Sequence, residues 1–134
     1  MQEKTIWVFH NAESIYMQLE NQLGVKILSG YFQPGEEFPT IRKLAQEAGV
    51  NANTVERAYR MLYDKNFIVK QKGRYRVNLS PEFIAAKRYE AASAHISNCM
   101  RHLIDLGYSK KELRELGMYQ IEQLKCLKAY DTLL

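Results

Sequence analysis

Between positions 51 and 57 the chain places two carboxamides, Asn51 and Asn53, a hydroxyl, Thr54, and a guanidinium, Arg57. Amides and hydroxyls both donate and accept hydrogen bonds, and a guanidinium offers a rigid fork of donors. The set therefore suits flat polar edges that carry donors and acceptors side by side. Arg42, just upstream, adds a second fork. A further set is cationic: Lys65, Lys70, Lys72, Arg74 and Arg76 occur with no acidic residue between Lys65 and Arg76, which concentrates positive potential on one short segment. Cations neutralise phosphates while amide and forked side chains read base edges, so the two sets together point to double-stranded DNA as partner.

Other chemistry is weakly represented. His95, Cys99 and His102 stand at i, i+4 and i+7, a spacing that could offer three ligands to a soft metal. Cys99 also falls on an apolar stripe, so a small buried thiol between two edge histidines is the expected reading, and a metal- or thiol-responsive regulator is its alternative. There is no glycine-rich phosphate loop, no activated serine or cysteine arrangement and no paired carboxylates, so neither an enzyme nor a cofactor is expected. His10 stands alone before the first helix and reads as a solvated or capping side chain.

Elements must position these groups. The 134 residues, 46% apolar and 25% charged, bury one good core and at most a small second one, which excludes a multidomain enzyme. The net charge of +4, from 19 basic and 15 acidic residues, permits a polyanionic partner without requiring one. No run approaches the roughly 20 apolar residues that span a bilayer, and the first residues lack a signal-peptide pattern. A cytoplasmic protein with reduced Cys99 and Cys126 and no membrane partner is the expectation.

Ile15, Leu19, Leu23 and Ile27 recur every four residues and predict a first helix stopping at Gly30. Pro34-Gly35 and Pro39 mark a turn. Ile41, Leu44, Ala45 and Ala48 predict a short second helix closed by Gly49, and Asn51 is a plausible N-cap for a third with Val55, Ala58, Tyr59 and Leu62 facing inward. Only Gly49-Val50-Asn51 separates them, which is the helix-turn-helix arrangement. Phe67-Ile68-Val69 and Tyr75-Arg76-Val77 predict two strands around a basic turn, Gln71 to Arg74, in which Gly73 supplies conformational freedom.

Ser80-Pro81 then opens a helix of about 26 residues, with Ala85, Tyr89, Ala92, Ile96, Cys99, Leu103 and Leu106 as its stripe, ending at Gly107. Ser109 to Glu112 is a capping box for a last helix with Leu113, Leu116, Gln120, Leu124 and Leu127 on one face, and the two helices are expected to form an antiparallel hairpin. Tyr119, Cys126, Tyr130 and Leu133 line a second face of that helix, most economically covered by a second subunit. The fold expected is mainly α, a winged helix-turn-helix over residues 1–79 followed by a helical dimerisation domain over 80–134.

From Ile15 to Val77 the chain resembles the GntR family of bacterial transcription regulators. The likeness rests on Ser14-Ile15-Tyr16-Met17-Gln18-Leu19, Leu28-Ser29-Gly30, Pro34-Gly35, Phe38-Pro39-Thr40-Ile41-Arg42-Lys43-Leu44-Ala45 and Asn53-Thr54-Val55-Glu56-Arg57-Ala58-Tyr59. The short remainder looks like the two-helix dimerisation tail of the YtrA-like subgroup. The resemblance implies a homodimer on a DNA operator, often a repressor, with Thr40, Arg42, Asn51, Asn53, Thr54, Arg57, Lys70, Lys72, Gly73 and Arg74 at the DNA. It leaves any small-molecule effector unidentified. The sequence departs from the family at Ser14, where proline is frequent, at Ala52, where arginine or proline is common, and in a wing turn about one residue shorter than usual. The competing class is a winged-helix module that binds protein.

Overall fold

A computed structural model describes residues 6–125. Helix α1 (Ile15–Leu28) buries Leu19, Leu23 and Ile27 completely, as their spacing requires, while Ile15 at its first turn is exposed. Its principal partner is α3 (Ala52–Asp64), whose Val55, Ala58, Tyr59 and Leu62 are also fully buried. Full burial of one large aliphatic side chain is worth about 1.5–3 kcal/mol, so the seam between these helices is the main support of the fold.

Helix α2 (Ile41–Ala48) spans barely two turns and depends on its ends. Thr40 Oγ1 accepts from Lys43 N at 3.1 Å, and Gly49 takes the left-handed conformation at φ 69°. Asn51 Oδ1 then accepts from Asn53 N at 2.8 Å to start α3. Local hydrogen bonds thus set the corner between α2 and α3. Tyr59 adds a long-range tie, its hydroxyl donating to Pro39 O at 2.7 Å while its ring stacks edge-on against Phe38 and Tyr75.

Strands β1 (Ile68–Gln71) and β2 (Arg74–Val77) pair antiparallel, from Ile68 opposite Val77 to Gln71 opposite Arg74. The ladder reaches further toward the turn than the run Gln71 to Arg74 suggests. Only Lys72 (φ 51°) and Gly73 (φ 77°) make the turn, and consecutive left-handed residues match the natural strand twist. The outer edge of β2 is covered too: Glu37 bridges Arg76, Phe38 N donates to Tyr75 O at 2.8 Å, and Val77 N donates to Glu36 O at 2.9 Å.

Ser80 Oγ accepts from Phe83 N at 3.1 Å to open α4 (Pro81–Asp105), whose first turns send Phe83 and Ile84 into the core formed by α1, α3 and the strands. The chain divides into two units within this helix, the first through Tyr89 and the second from Glu90. In the second unit α4 ends near Gly107 (φ 92°), and Ser109 and Glu112 form the expected reciprocal capping box of α5 (Lys110–Lys125) at 3.1 and 3.2 Å. Leu113 is buried. The α4 stripe is a correction to the expected buried face: Ala85, Tyr89, Ala92, Ile96, Cys99 and Leu106 are exposed in the single chain, and only Leu103 is half-buried. Periodicity establishes an apolar face but not what covers it, and one copy of the chain leaves this one open.

Candidate nucleic-acid interface

Helix α3 is divided by its own periodicity. Burial of Val55, Ala58, Tyr59 and Leu62 turns Asn53, Glu56, Arg57 and Arg60 outward and leaves Thr54 half-buried at the boundary. Asn51 and Asn53 are both exposed at the start of the helix, but they are not equivalent. The Asn51 carbonyl oxygen is committed to the cap, which leaves its NH2 group as the free end, whereas no cap bond engages the Asn53 side chain. Thr40 is similar to Asn51, its hydroxyl oxygen serving the start of α2 with Arg42 exposed two residues on.

Arg57, exposed on this face, lies against a ring of α1. Its guanidinium carbon lies 3.9 Å from the centre of the Tyr16 ring on α1. Among the described residues no carboxylate pairs with it, and Glu56 is engaged by Arg60 at 3.5 Å. Stacking on a ring uses the face of the guanidinium and leaves the N–H donors around its edge available. Tyr16 carries no local sequence signal for this contact, because the partners meet only once α1 has packed on α3.

The β-hairpin beside α3 carries Lys70, Lys72, Gly73 and Arg74, all exposed. Lys72 and Gly73 occupy the tip, and Lys70 Nζ lies 5.4 Å from the Tyr75 ring. Arg74 is bound by the Glu37 carboxylate, and Arg76 Nη1 donates to Gly35 O at 3.0 Å. Lys65, counted above with this cationic run, pairs at 2.7 Å with Glu20, whose side chain is largely buried, so it fastens α3 to α1. The unpaired positive charge of the hairpin is therefore concentrated at its tip and at Lys70. Glu37 was not legible as part of this surface because it sits in a turn segment far along the chain.

Tyr59 belongs to the core, as its spacing predicts: burial raises its phenol pKa far above the usual tyrosine range, with smaller contributions from Glu47 and Tyr75. His10 Nδ1 accepts from Ala12 N at 3.2 Å, a local capping role. His95, Cys99 and His102 are exposed, and among the described residues no three metal-ligating side chains converge. Of the residues expected to meet a second subunit, Tyr119 is exposed, and Cys126, Tyr130 and Leu133 lie outside the described residues. No described helix is long and apolar enough to cross a membrane.

Comparison with known proteins places this geometry in context. The family model described as "Bacterial regulatory proteins, gntR family" matches residues 13–75. The chain is similar to the HTH-type transcriptional regulator Rv1152 of Mycobacterium tuberculosis, 41% identical over 84% of this chain and 82% of the relative. Among solved structures, a GntR family transcriptional regulator from Listeria monocytogenes superimposes with a TM-score of 0.77 at 22% identity, covering 83% of this chain and 98% of that one. YtrA from Sulfolobus acidocaldarius, described as a GntR-family transcription factor, gives a TM-score of 0.51 at 37% identity over 63% of this chain and 92% of that one.

Proposed function

Given that this chain belongs to the GntR family, on its YtrA-like side, we propose that it binds a twofold-symmetric operator as a homodimer and represses by occluding the promoter. The chain is a DNA-binding helix-turn-helix transcriptional regulator, not an enzyme. The observation that supports DNA reading is the two-sided α3, fully buried on one side and presenting Asn53 and Arg57 on the other. Such a helix enters a major groove by its N-terminal end, and a dimer places two of them about 34 Å apart in successive grooves.

Residues 1–79 are the DNA-binding part on this reading. Asn53 and Arg57 read base edges, with Thr54 and the free NH2 of Asn51 beside them. Thr40 and Arg42 at the start of α2, together with Lys70, Lys72, Gly73 and Arg74 on the wing, hold phosphates and set the register. Residues 80–134 are the dimerisation part. Ile96, Ile104, Met118, Tyr119 and Ile121 are large, apolar and exposed in the single chain, which supports a second copy as their cover. Action on the chromosome places the protein in the cytoplasm.

A salt titration of duplex binding by the full chain tests this reading. Affinity should fall steeply as salt rises, and Arg57→Ala should weaken binding while leaving the oligomeric mass unchanged. Salt-insensitive binding, or an Arg57→Ala protein that dissociates into monomers, would contradict it.

A further inference from the structure

We propose that Tyr16 is a positioning residue for DNA recognition, a ring on α1 that fixes the plane of the Arg57 guanidinium on α3. This rests on the assignment of Arg57 to the DNA. Three observations carry it. The guanidinium carbon stands 3.9 Å from the ring centre, Tyr16 is half-buried, and Arg57 has no ion pair among the described residues although Glu56 is its chain neighbour.

An arginine side chain has several freely rotating bonds, and ordering it at the moment of binding costs affinity. A carboxylate would order it but would consume the donors that a base or phosphate needs. The aromatic face orders it without consuming them, because the π surface takes the cation face-on and the N–H groups lie in the guanidinium plane. The platform is itself rigid: one turn further along α1, Leu19 is fully buried, and α1 packs chiefly on α3. The reading residue and its support therefore belong to one packed unit.

The test uses full-length protein and duplexes enriched from a random pool by the wild type, with an unrelated duplex as the non-specific reference. Tyr16→Leu should reduce affinity for the enriched duplex by about 5-fold per protomer, the effect a cation–π contact sustains, while affinity for the unrelated duplex changes much less. Tyr16→Phe should retain the wild-type ratio, since the ring survives. In an Arg57→Ala background Tyr16→Leu should cost nothing further. Tyr16→Met repeats the measurement with a flexible side chain of good helix propensity, so the result does not depend on one variant folding well.

An unchanged ratio in Tyr16→Leu, an equal loss in Tyr16→Phe, or an undiminished loss in the Arg57→Ala background would each overturn the assignment. If Arg57→Ala alone leaves binding to the enriched duplex intact, it is the placement of Arg57 on DNA that fails, and the two failures are distinguishable.

Discussion

Glu37→Gln should make this protein bind DNA more tightly and with a steeper dependence on salt. Glu37 holds Arg74 in an ion pair whose side chains are 69% (Arg74) and 44% (Glu37) exposed. A pair so open to solvent contributes at most about 1 kcal/mol to stability, so its loss leaves the fold intact. The backbone bridge between Glu37 and Arg76 and the bond from Arg76 to Gly35 O do not involve the Glu37 carboxylate and keep the hairpin in place. On the proposed reading, however, the Glu37 carboxylate competes with a DNA phosphate for Arg74, so that the phosphate contact forms only in part while Glu37 is present. Removing the competitor recovers up to about 1 kcal/mol, or roughly 5-fold in affinity, per protomer. Each cation newly available to a phosphate steepens the slope of log K against log salt by about 0.9, hence by about 2 for a dimer. Fluorescence anisotropy of a labelled duplex across a salt series measures both quantities. An unchanged slope and affinity, or a gain that persists when Arg74 is also replaced by alanine, would refute the reasoning.

Three further outcomes are expected. Asn51→Ala should lower stability by about 1 kcal/mol through loss of the α3 cap, whereas Asn53→Ala should leave thermal unfolding unchanged and relax sequence preference; equal effects on stability would contradict the division of labour. Tyr59 should make the fold sensitive to alkali. Below pH about 10 its phenol is neutral in both states; above it the unfolded chain loses that proton while the buried group keeps it, so stability falls by up to about 1.4 kcal/mol per pH unit. Tyr59→Phe should remove this component of the alkaline loss, at a cost of about 1 kcal/mol at neutral pH from the hydrogen bond to Pro39 O, as read by urea unfolding on either side of that pH. Ile96→Glu with Ile121→Glu should raise the dimer dissociation constant at least about tenfold, since each buried isoleucine is worth about 1.5–3 kcal/mol, and an unchanged mass by light scattering would contradict the dimer face.

What could be read from the chain followed the range of the interaction. The inner stripes of α1 and α3, the Gly49 and Asn51 caps and the Ser109–Glu112 box are decided within a few residues, so spacing and residue type reveal them. The state of each cation is decided elsewhere. Lys65, Arg57 and Arg74 look alike as basic residues in sequence, yet one is anchored to Glu20, one lies on Tyr16, and one is held by Glu37. These partners lie dozens of residues upstream and are brought close by the packing of α1 on α3 and by the pairing of the 36–38 segment with β2. The C-terminal stripe illustrates the opposite limit: its apolar spacing is plain, but burial is a property of the neighbours, and Tyr89 and Ile96 are open in one copy.

Whether the outer face of α3 reads base edges is decided by selecting bound duplexes from a random pool. The enriched duplexes should carry two inverted half-sites whose centres lie about one helical turn, 10 base pairs, or a multiple of it apart, and Asn53→Ala and Arg57→Ala should each lose preference within the half-site. Absence of enrichment even in dilute buffer, or enriched sites indifferent to both substitutions, would contradict base reading by α3.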